Sequence, residues 1–493
     1  LTKYTLCSII NTYSTICITK KVQAIDARHT HLKGTFKMSI SKSIILNTDS
    51  YKVSMPQQYP AGTTGIYSYI ESRGGHYDTT LFFGIQAFIK EYLTTPITQA
   101  DIDLGDEMWT AHGEPFNRAG WQYILDNHNG YLPIIIKSVP EGSLVPVKNV
   151  LAVVENTDPN CFWLTTWLET ALLRAIWYPT TVATQSWSIK QVILDYLVRT
   201  GSPETIDFKL HDFGARGVSS FESSSIGGAA HLINFMGTDN MSGILFAREY
   251  YSAGVSGFSI PAAEHSTITS WGRDGEVDAY RNMLTKFAKP GAVFAVVSDS
   301  YDIYNACEKL WGDELRQQVI DSGATLVIRP DSGDPELVMM RVLEILDRKF
   351  GSVKNAKGFK VLNNVRVIQG DGVNEQSIRS ILGHMLVLGY SADNIAFGMG
   401  GQLLQIINRD TQKFALKCSA ACINDVWVDV QKDPITDTGK KSKAGRVTLY
   451  KNKAGEYSTG VEDWVTPALN KVFENGKLMN EITFDQVRIN SNK

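Results

Sequence analysis

The chain lacks any apolar run near the roughly 20 residues that cross the hydrocarbon core of a bilayer, so a helical membrane span is not expected. It also lacks an excess of charge of either sign: 48 Lys and Arg stand against 51 Asp and Glu, for a formal charge of −3. That balance excludes a general nucleic-acid or anionic-membrane surface, and any phosphate site must be built locally. Cysteine is sparse, at six positions: Cys7, Cys17, Cys161, Cys307, Cys418 and Cys422. None forms a CxxC pair and no histidine cluster stands beside them, so neither a disulfide framework nor a zinc site is expected. Reduced thiols in a cytoplasmic protein are. No short repeat or low-complexity block appears.

What is present is a chain of 493 residues, 43% hydrophobic and 20% charged, long enough for two or three domains and a large core. Residues 1–37 stand apart. The run Tyr4–Ile18 interleaves Thr, Ser, Asn and Tyr with its apolar positions, and Lys20-Lys21 follows where a signal peptide would carry small residues. Residues 1–37 therefore read as an upstream extension with little structure, ending before Met38.

Between about residues 206 and 410 a pattern recurs: a short β-prone run, a polar loop, then a helical segment. The runs are Phe208–His211, Leu232–Phe235, Gly257–Ile260, Val293–Val297, Thr325–Ile328, Val365–Ile368 and Asn394–Phe397. Their content of Val, Ile, Leu and Phe suits strands buried on both faces. Asp334 followed by Pro335 reads as an N-cap with proline at the first helical position, opening a helix over Glu336–Lys349. Seven strand–helix units predict a closed or nearly closed α/β barrel, with an open doubly wound sheet as the alternative. The flanks differ. Ser43–Leu46, Thr64–Tyr69, Leu132–Val139 and Val150–Val154 read as strands on one side, Arg446–Tyr450 and Phe484–Ile489 on the other. The two chain ends are expected to form one α+β domain against the barrel. The boundaries read as 38–165 for its N-terminal part, 166–415 for the barrel and 416–493 for its C-terminal part. Lys432–Gly445 reads as a mobile loop.

In α/β barrels chemistry collects where strands end, because the following loops converge there. Here those places hold Asp212, Phe213 and Arg216; Gly237-Thr238-Asp239; Pro261 to Thr267 with His265; Ser298-Asp299-Ser300; Arg329-Pro330-Asp331-Ser332-Gly333; Gly370-Asp371-Gly372; and Gly398-Met399-Gly400-Gly401. The last two loops are glycine-rich and open helices, a setting for phosphate or for a plain tight turn. Arg329 with Asp331 suits a phosphate and ribose hydroxyls or Mg²⁺, or else a structural ion pair. His265, beside Glu264 and on the face of Asp299, has the position of a nucleophile oriented by a carboxylate, though most histidines are packing or surface residues. Phe213 is either a core aromatic closing the barrel mouth or a stacking surface for a flat heteroaromatic ring.

Taken in order, Thr48–Lys52 (TDSYK), Glu155–Pro159 (ENTDP), His211–Gly214 (HDFG), Arg216–Ser220 (RGVSS), Gly237–Asp239 (GTD), Pro261–Thr269 (PAAEHSTIT), Ser298–Glu308 (SDSYDIYNACE), Ile328–Gly333 (IRPDSG) and Gln369–Val373 (QGDGV) resemble the nicotinamide phosphoribosyltransferase family. The resemblance runs from about residue 43 nearly to the C-terminus. It implies an irregular barrel of the type II phosphoribosyltransferase kind and a homodimer with active sites shared between subunits. It implies the reaction of nicotinamide with phosphoribosyl pyrophosphate to give nicotinamide mononucleotide and pyrophosphate, in NAD salvage, with Mg²⁺ and with ATP as co-substrate. Carried over residue by residue, Phe213 stacks on the pyridine ring, with Tyr51 and Asp49 supplied by the neighbouring subunit. Asp239 accepts from the carboxamide, with Ser259 also at the substrate. Arg216, Arg329, Asp331, Arg366, Asp371, Gly372, Gly400, Gly401 and Arg409 surround ribose and phosphates. Lys417 and Lys432 reach pyrophosphate or ATP from the partner chain. His265 is transiently phosphorylated by ATP, and Asp299 and Asp331 complete the catalytic set. Met399 and Gln402 stand where many relatives have smaller residues, Ala215 replaces an aromatic of vertebrate relatives, and the Gly74-Gly75 loop is short. The nearest alternative is a nicotinate phosphoribosyltransferase. Asp239 argues against it, because a carboxylate accepts from an amide NH₂ and repels a carboxylate. A sugar-phosphate lyase or isomerase would explain the glycine loops and leave His265 and Tyr51 unused. A non-catalytic nucleotide-binding protein would lack turnover.

Overall fold

Apolar residues at nearly every position of Val293–Val297 leave no solvent face, and such a run is stable as a strand only with a layer packed on each side. The computed structural model describes residues 42–436, 441–461 and 467–493. The expected extension over 1–37 lies outside these, as do residues 437–440 of the expected loop. From the N-terminus the strands of the two large sheets are β1 (Thr63–Ser72), β2 (Ile134–Ser138) and β3 (Val150–Asn156). Then come β4 (Leu210–Asp212), β5 (Gly237–Thr238), β6 (Val293–Val297), β7 (Thr325–Arg329), β8 (Val365–Gln369) and β9 (Ile395–Met399). The last are β10 (Phe414–Ile423), β11 (Val426–Asp429), β12 (Asn470–Glu474) and β13 (Lys477–Leu478). The helices that matter below are α1 (Glu169–Thr200), α2 (Phe221–His231), α3 (Met241–Tyr251), α4 (Pro335–Phe350), α5 (Glu375–Val387) and α6 (Phe484–Ser491).

Six strands form a parallel sheet in the order β5-β4-β9-β8-β7-β6. The segment after β5 joins its two edges. Phe258 bridges Gly237 of β5, and Ala262 bridges Ala295 of β6, both in parallel sense. Thr238 N donates to Phe258 O at 3.0 Å, and Ala295 N to Pro261 O at 2.9 Å. The sheet is thereby closed by an irregular seventh stave, as the barrel reading expects. The run Gly257–Ile260 therefore supplies bridges rather than a regular strand, because it must lean from one edge to the other. Side chains alternate. Ala295, Val327 and Ile368 face the lumen with Phe213, Ile260 and Ala396. Phe294, Val296, Leu326, Ile328, Val367 and Phe397 face the surrounding helices. Each such burial contributes about 1.5–3 kcal/mol before entropy. Helix α4 opens as its sequence predicts: Asp334 accepts from Glu336 N and Leu337 N, with Pro335 at the first helical position.

Three other runs fold differently. Phe208–His211 becomes a strand only from Leu210. Leu232–Phe235 is the turn after α2, held by the Phe235 N to His231 O bond, and the stave begins at Gly237. Its apolar residues serve the core without extending. Ser43–Leu46 is a turn, closed by the Leu46 N to Ser43 O bond, with Ile44 and Ile45 both buried.

The second sheet is antiparallel, in the order β11-β10-β1-β3-β2-β12-β13, and so draws strands from both chain ends. Its core includes Tyr69, Trp121, Trp163, Trp167, Phe414 and Phe473. The expected strand at Arg446–Tyr450 is present as Val447–Lys451, paired with Tyr457–Val461. Helix α1 serves both cores: Leu172 and Ile176 pack with the sheet, Val182, Ile189 and Leu197 with the barrel. Ser43–Lys493 forms one compact unit. Phe484–Ile489, expected as a strand, is helix α6. Thr483 caps it by accepting from Gln486 N, and Phe484 and Val487, three apart, are the apolar residues it buries. Arg488 then donates to Leu232 O and Ser256 O, pinning the barrel wall where the irregular stave begins. No helix among the described residues is long and apolar enough to cross a membrane.

Candidate active site

The loop after β4 carries Phe213 across the barrel mouth. Phe213 N donates to Met399 O at 2.9 Å, extending the β4–β9 pairing by one rung. Its ring lies on glycine: a Cβ at Gly398 would stand 2.0 Å from Cε2, and one at Gly370 3.3 Å. The Arg329 guanidinium sits 5.5 Å from the ring centroid. The ring is half-buried, touching the lumen residues on its inner side. The packed inner side matches the core-aromatic reading of Phe213, and the ring's remaining exposure leaves room for the stacking reading. On the neighbouring stave, Asp239 N donates to Asp212 O at 3.0 Å, and the Asp239 carboxylate accepts from Ser259 Oγ at 2.6 Å. Asp239 and Ser259 are exposed at the same rim.

The ends of β6 and β7 build a charged half. His265 begins a short helix, its Nδ1 3.1 Å from Ser300 Oγ. Its Nε2 faces two carboxylates, Asp331 at 3.4 Å and Asp299 at 3.7 Å. Asp299 has a side chain only 3% exposed. Its Oδ2 accepts from Asp331 N at 2.8 Å and from Ser332 Oγ, and its Oδ1 has no hydrogen-bond partner. Arg329 Nη2 donates to Asp331 Oδ1 at 2.7 Å, while its buried Nε has no partner. Gln369 Oε1, at the end of β8, is likewise buried without a partner. Buried polar atoms are nearly always paired, so three orphans at adjacent strand ends mark a place where a polar ligand or ion completes the bonding. The donor set, oxygen-rich and anionic, fits a hard divalent cation such as Mg²⁺.

Two glycine segments touch beside Phe213: a Cβ at Gly217 would stand 3.3 Å from Gly401 N, and one at Gly400 3.6 Å from Phe213 O. Arg216 is exposed on this loop. Gly372 adopts a left-handed φ of +64°, turning the exposed Asp371–Gly372 pair over the end of β8. The first N–H groups of α5 behind it are partly used, since Asn374 accepts from Ser377 N.

Other expected residues lie elsewhere. Arg366 is second in β8, and its Nη1 donates to Leu362 O ahead of the strand and to Val365 O at its first residue. Burial lowers its pKa, with Asp393 opposing. It braces the far end of the barrel, beside Lys209, whose ammonium binds Ala392 O, Asp393 O and Ile395 O. Arg366 thus stands apart from the strand-end residues with its Nη1 spent on backbone carbonyls, and this placement lends no support to the expectation that it binds substrate. Arg409 is exposed and turned onto Asp410. Asp49, Tyr51, Lys417 and Lys432 form a separate group with the antiparallel sheet and α1. Asp49 accepts from Thr170 Oγ1 at 2.6 Å, and Tyr51 is 57% exposed beside the Lys52 ammonium. Lys417 Nζ is 3.9 Å from the Glu169 carboxylate. Burial lowers its pKa, Glu169 opposes this, and Arg73, Lys52 and Lys432 add to the lowering. Lys52 and Lys417 thus share the Glu169 carboxylate, with Arg73, paired to Glu71, and Lys432 close enough to act on Lys417.

Sequence reasoning named Ser300 among the strand-end residues without giving it a role, and gave none to Asn240 or Gln369. Ser300 and Gln369 sit at strand ends, where the loop rule points; Asn240 follows Asp239 and has no comparable signal. It also missed a grouping of His128, Asp158 and Cys161, whose polar atoms lie within 4.8 Å of one another. Asp158 there accepts from Asn160 N and Tyr123 OH and is 2.8 Å from His128, and burial pushes the Cys161 thiol up to about 12. A neutral thiol beside a saturated carboxylate makes this a cap for the turn at Pro159.

The model of the nicotinate phosphoribosyltransferase (NAPRTase) family matches residues 208–477, and that of the nicotinamide phosphoribosyltransferase N-terminal domain matches residues 43–136. A nicotinamide phosphoribosyltransferase of Xanthomonas campestris pv. campestris is 58% identical over 90% of this chain and 97% of its own length. One from Acinetobacter baylyi is 31% identical over 89% of this chain and 95% of its own length. Two crystal structures share the fold. A nicotinate-nucleotide pyrophosphorylase from Pyrococcus furiosus has a TM-score of 0.59 at 15% identity, covering 93% of this chain and 97% of that one. Human nicotinic acid phosphoribosyltransferase has a TM-score of 0.54 at 15% identity, covering 91% and 93%.

Proposed function

The chain belongs to the nicotinate phosphoribosyltransferase family, and from that premise we propose that its barrel mouth joins nicotinamide to phosphoribosyl pyrophosphate, giving nicotinamide mononucleotide for NAD salvage. One observation carries the reading: an aromatic platform on a glycine floor, Phe213 over Gly398, stands one strand away from an exposed acceptor, Asp239. Phe213 stacks on the pyridine ring and Asp239 accepts from the carboxamide NH₂. A carboxylate substrate about 4 Å from Asp239 would be disfavoured by ~1–4 kcal/mol between water and protein-surface dielectrics.

The ring nitrogen attacks the anomeric carbon, and the bond from that carbon to pyrophosphate breaks. Holding the two reactants in line supplies most of what the protein needs to contribute, because the nitrogen carries no proton to remove. Arg329, Arg216 and the Gly400–Gly401 backbone hold phosphate and ribose oxygens, and Asp331 stabilises positive charge developing on the ribose. Asp299 and Asp331 would hold Mg²⁺, which when bound neutralises charge on the departing pyrophosphate. His265, its Nε2 facing two carboxylates, attacks the γ-phosphorus of ATP with departure of ADP, and the phosphoimidazole adds charge beside the pyrophosphate subsite.

Tyr51, Asp49, Lys417 and Lys432 complete the mouth of a second copy in a homodimer. Phe221 and Met241, 69% and 63% exposed at the starts of α2 and α3, offer apolar surface around the mouth that a second copy would cover. The free thiols of Cys161, Cys307, Cys418 and Cys422 suit the cytoplasm.

The test is formation of nicotinamide mononucleotide from the two substrates and Mg²⁺, with and without ATP, by the unmodified chain and by His265→Ala. The unmodified chain turns over and ATP raises its rate; the variant hydrolyses no ATP and gains nothing from it. A variant with full ATP stimulation would end the role of His265, and an inactive unmodified chain would end the reading.

A further inference from the structure

Phe213 and Asp239 stand on different strand ends, so gripping one flat base requires their separation to be fixed. A single side-chain contact spans that gap. Asp212 Oδ2 accepts from Asn240 Nδ2 at 2.9 Å. Asp212 immediately precedes Phe213, and Asn240 immediately follows Asp239. The same aspartate accepts from Gly214 N through Oδ1 at 2.7 Å, and its carbonyl accepts from Asp239 N at 3.0 Å. It therefore holds both sides of Phe213 and both sides of Asp239.

Asn240 has no bond to spare. Its amide also donates to Ser224 O at 3.0 Å, its Oδ1 accepts from Ser224 Oγ at 3.1 Å and Ser242 Oγ at 2.7 Å, and its backbone N–H donates to Thr238 Oγ1 at 2.9 Å. Asp212 is 0% and Asn240 1% exposed. Rotating either side chain strands a buried polar group, so the geometry is locked. Burial pushes the Asp212 carboxyl up to about 6, the Gly214 N–H and the Asn240 amide pull it back, and the neighbouring Asp239 pushes it up again. A carboxylate is expensive at this depth unless its bonds are needed.

We propose that the Asp212–Asn240 hydrogen bond is a positioning tie that sets the spacing between the Phe213 platform and the Asp239 acceptor, and so governs nicotinamide affinity without touching the base. The inference rests on the base-site reading above. Cutting the tie frees the loops after β4 and β5 from each other. It leaves the His265–Asp299–Arg329 half, which is held by its own bonds, in place.

The test uses the full-length enzyme and Asn240→Ala, Asn240→Asp, the exchange Asp212→Asn with Asn240→Asp, and Phe213→Ala and Asp239→Ala as references. KM for each substrate, kcat and melting temperature are measured. Asn240→Ala raises KM for nicotinamide about ten-fold, the worth of one buried charged hydrogen bond, and leaves KM for phosphoribosyl pyrophosphate within about two-fold. Asn240→Asp, which sets two carboxylates face to face, is worse. The exchange, which restores an amide–carboxylate pair at the same two positions, recovers much of that loss. If Phe213→Ala and Asp239→Ala raise nicotinamide KM while Asn240→Ala does not, or if both KM values shift together with the melting temperature, the tie is only structural. If neither reference variant affects nicotinamide KM, the base-site reading itself falls, and the tie with it.

Discussion

The Phe213 ring lies so close over Gly398 that a Cβ there would stand 2.0 Å from Cε2. The ring cannot stay where it is beside a Cβ, so Gly398→Ala must lift it from the barrel floor. We expect KM for nicotinamide to rise by about ten-fold or more, with a stability loss of about 1–3 kcal/mol typical of overpacking. Initial-rate kinetics and a thermal melt check both, and an unchanged nicotinamide KM would remove the floor from the account.

The cationic group around Lys417 and the mouth around His265 are proposed to meet only across subunits. His265→Ala and Lys417→Ala, each without ATP-stimulated synthesis alone, should recover that stimulation when co-expressed. Random pairing makes half the dimers mixed, and each mixed dimer carries one intact site, so the stimulation should return to about a quarter of that in the unmodified enzyme. Stimulation no higher than in either single variant would mean that the sites are not shared.

Glu141 is fully buried, accepting from Gln86 N at 2.8 Å where α6 and α3 meet the sheet domain. Burial pushes its carboxyl up to about 7, partly offset by the backbone N–H of Gln86 and neighbouring backbone. The folded state therefore holds the proton more tightly than the unfolded chain. Its contribution to stability is full below about pH 4.5 and is lost as pH rises through about 7. Glu141→Gln, permanently neutral, should raise the melting temperature at pH 8 relative to the unmodified protein and change it little at pH 4.5. A gain confined to the acidic end would reverse the sign and refute the assignment.

The barrel was legible where burial is two-sided. Val293–Val297 is apolar throughout, and its strand has the bounds read from the sequence. The stave at 257–263 was harder, because what defines it is bridging to two edges, a property of the closed ring rather than of the local pattern. Helix α6 was misread because Phe484, Val487 and Ile489 fit a loose alternation; the three-residue step and the Thr483 cap were the better signal. Among site residues, the strand-end rule found His265, Asp299, Arg329 and Asp331, which the fold brings into contact. Arg366 failed the same rule, standing early in its strand. Asn240 was invisible because its importance lies in whom it bonds.

The central claim is that Asp239 reads an amide at the barrel mouth, and the most direct test is the ratio of kcat/KM for nicotinamide to that for nicotinate, in the unmodified enzyme and in Asp239→Asn. The account predicts a strong preference for nicotinamide that falls by about ten-fold or more when the carboxylate becomes an amide able to donate. A ratio that stays the same in the variant, or an unmodified enzyme that favours nicotinate, would contradict it.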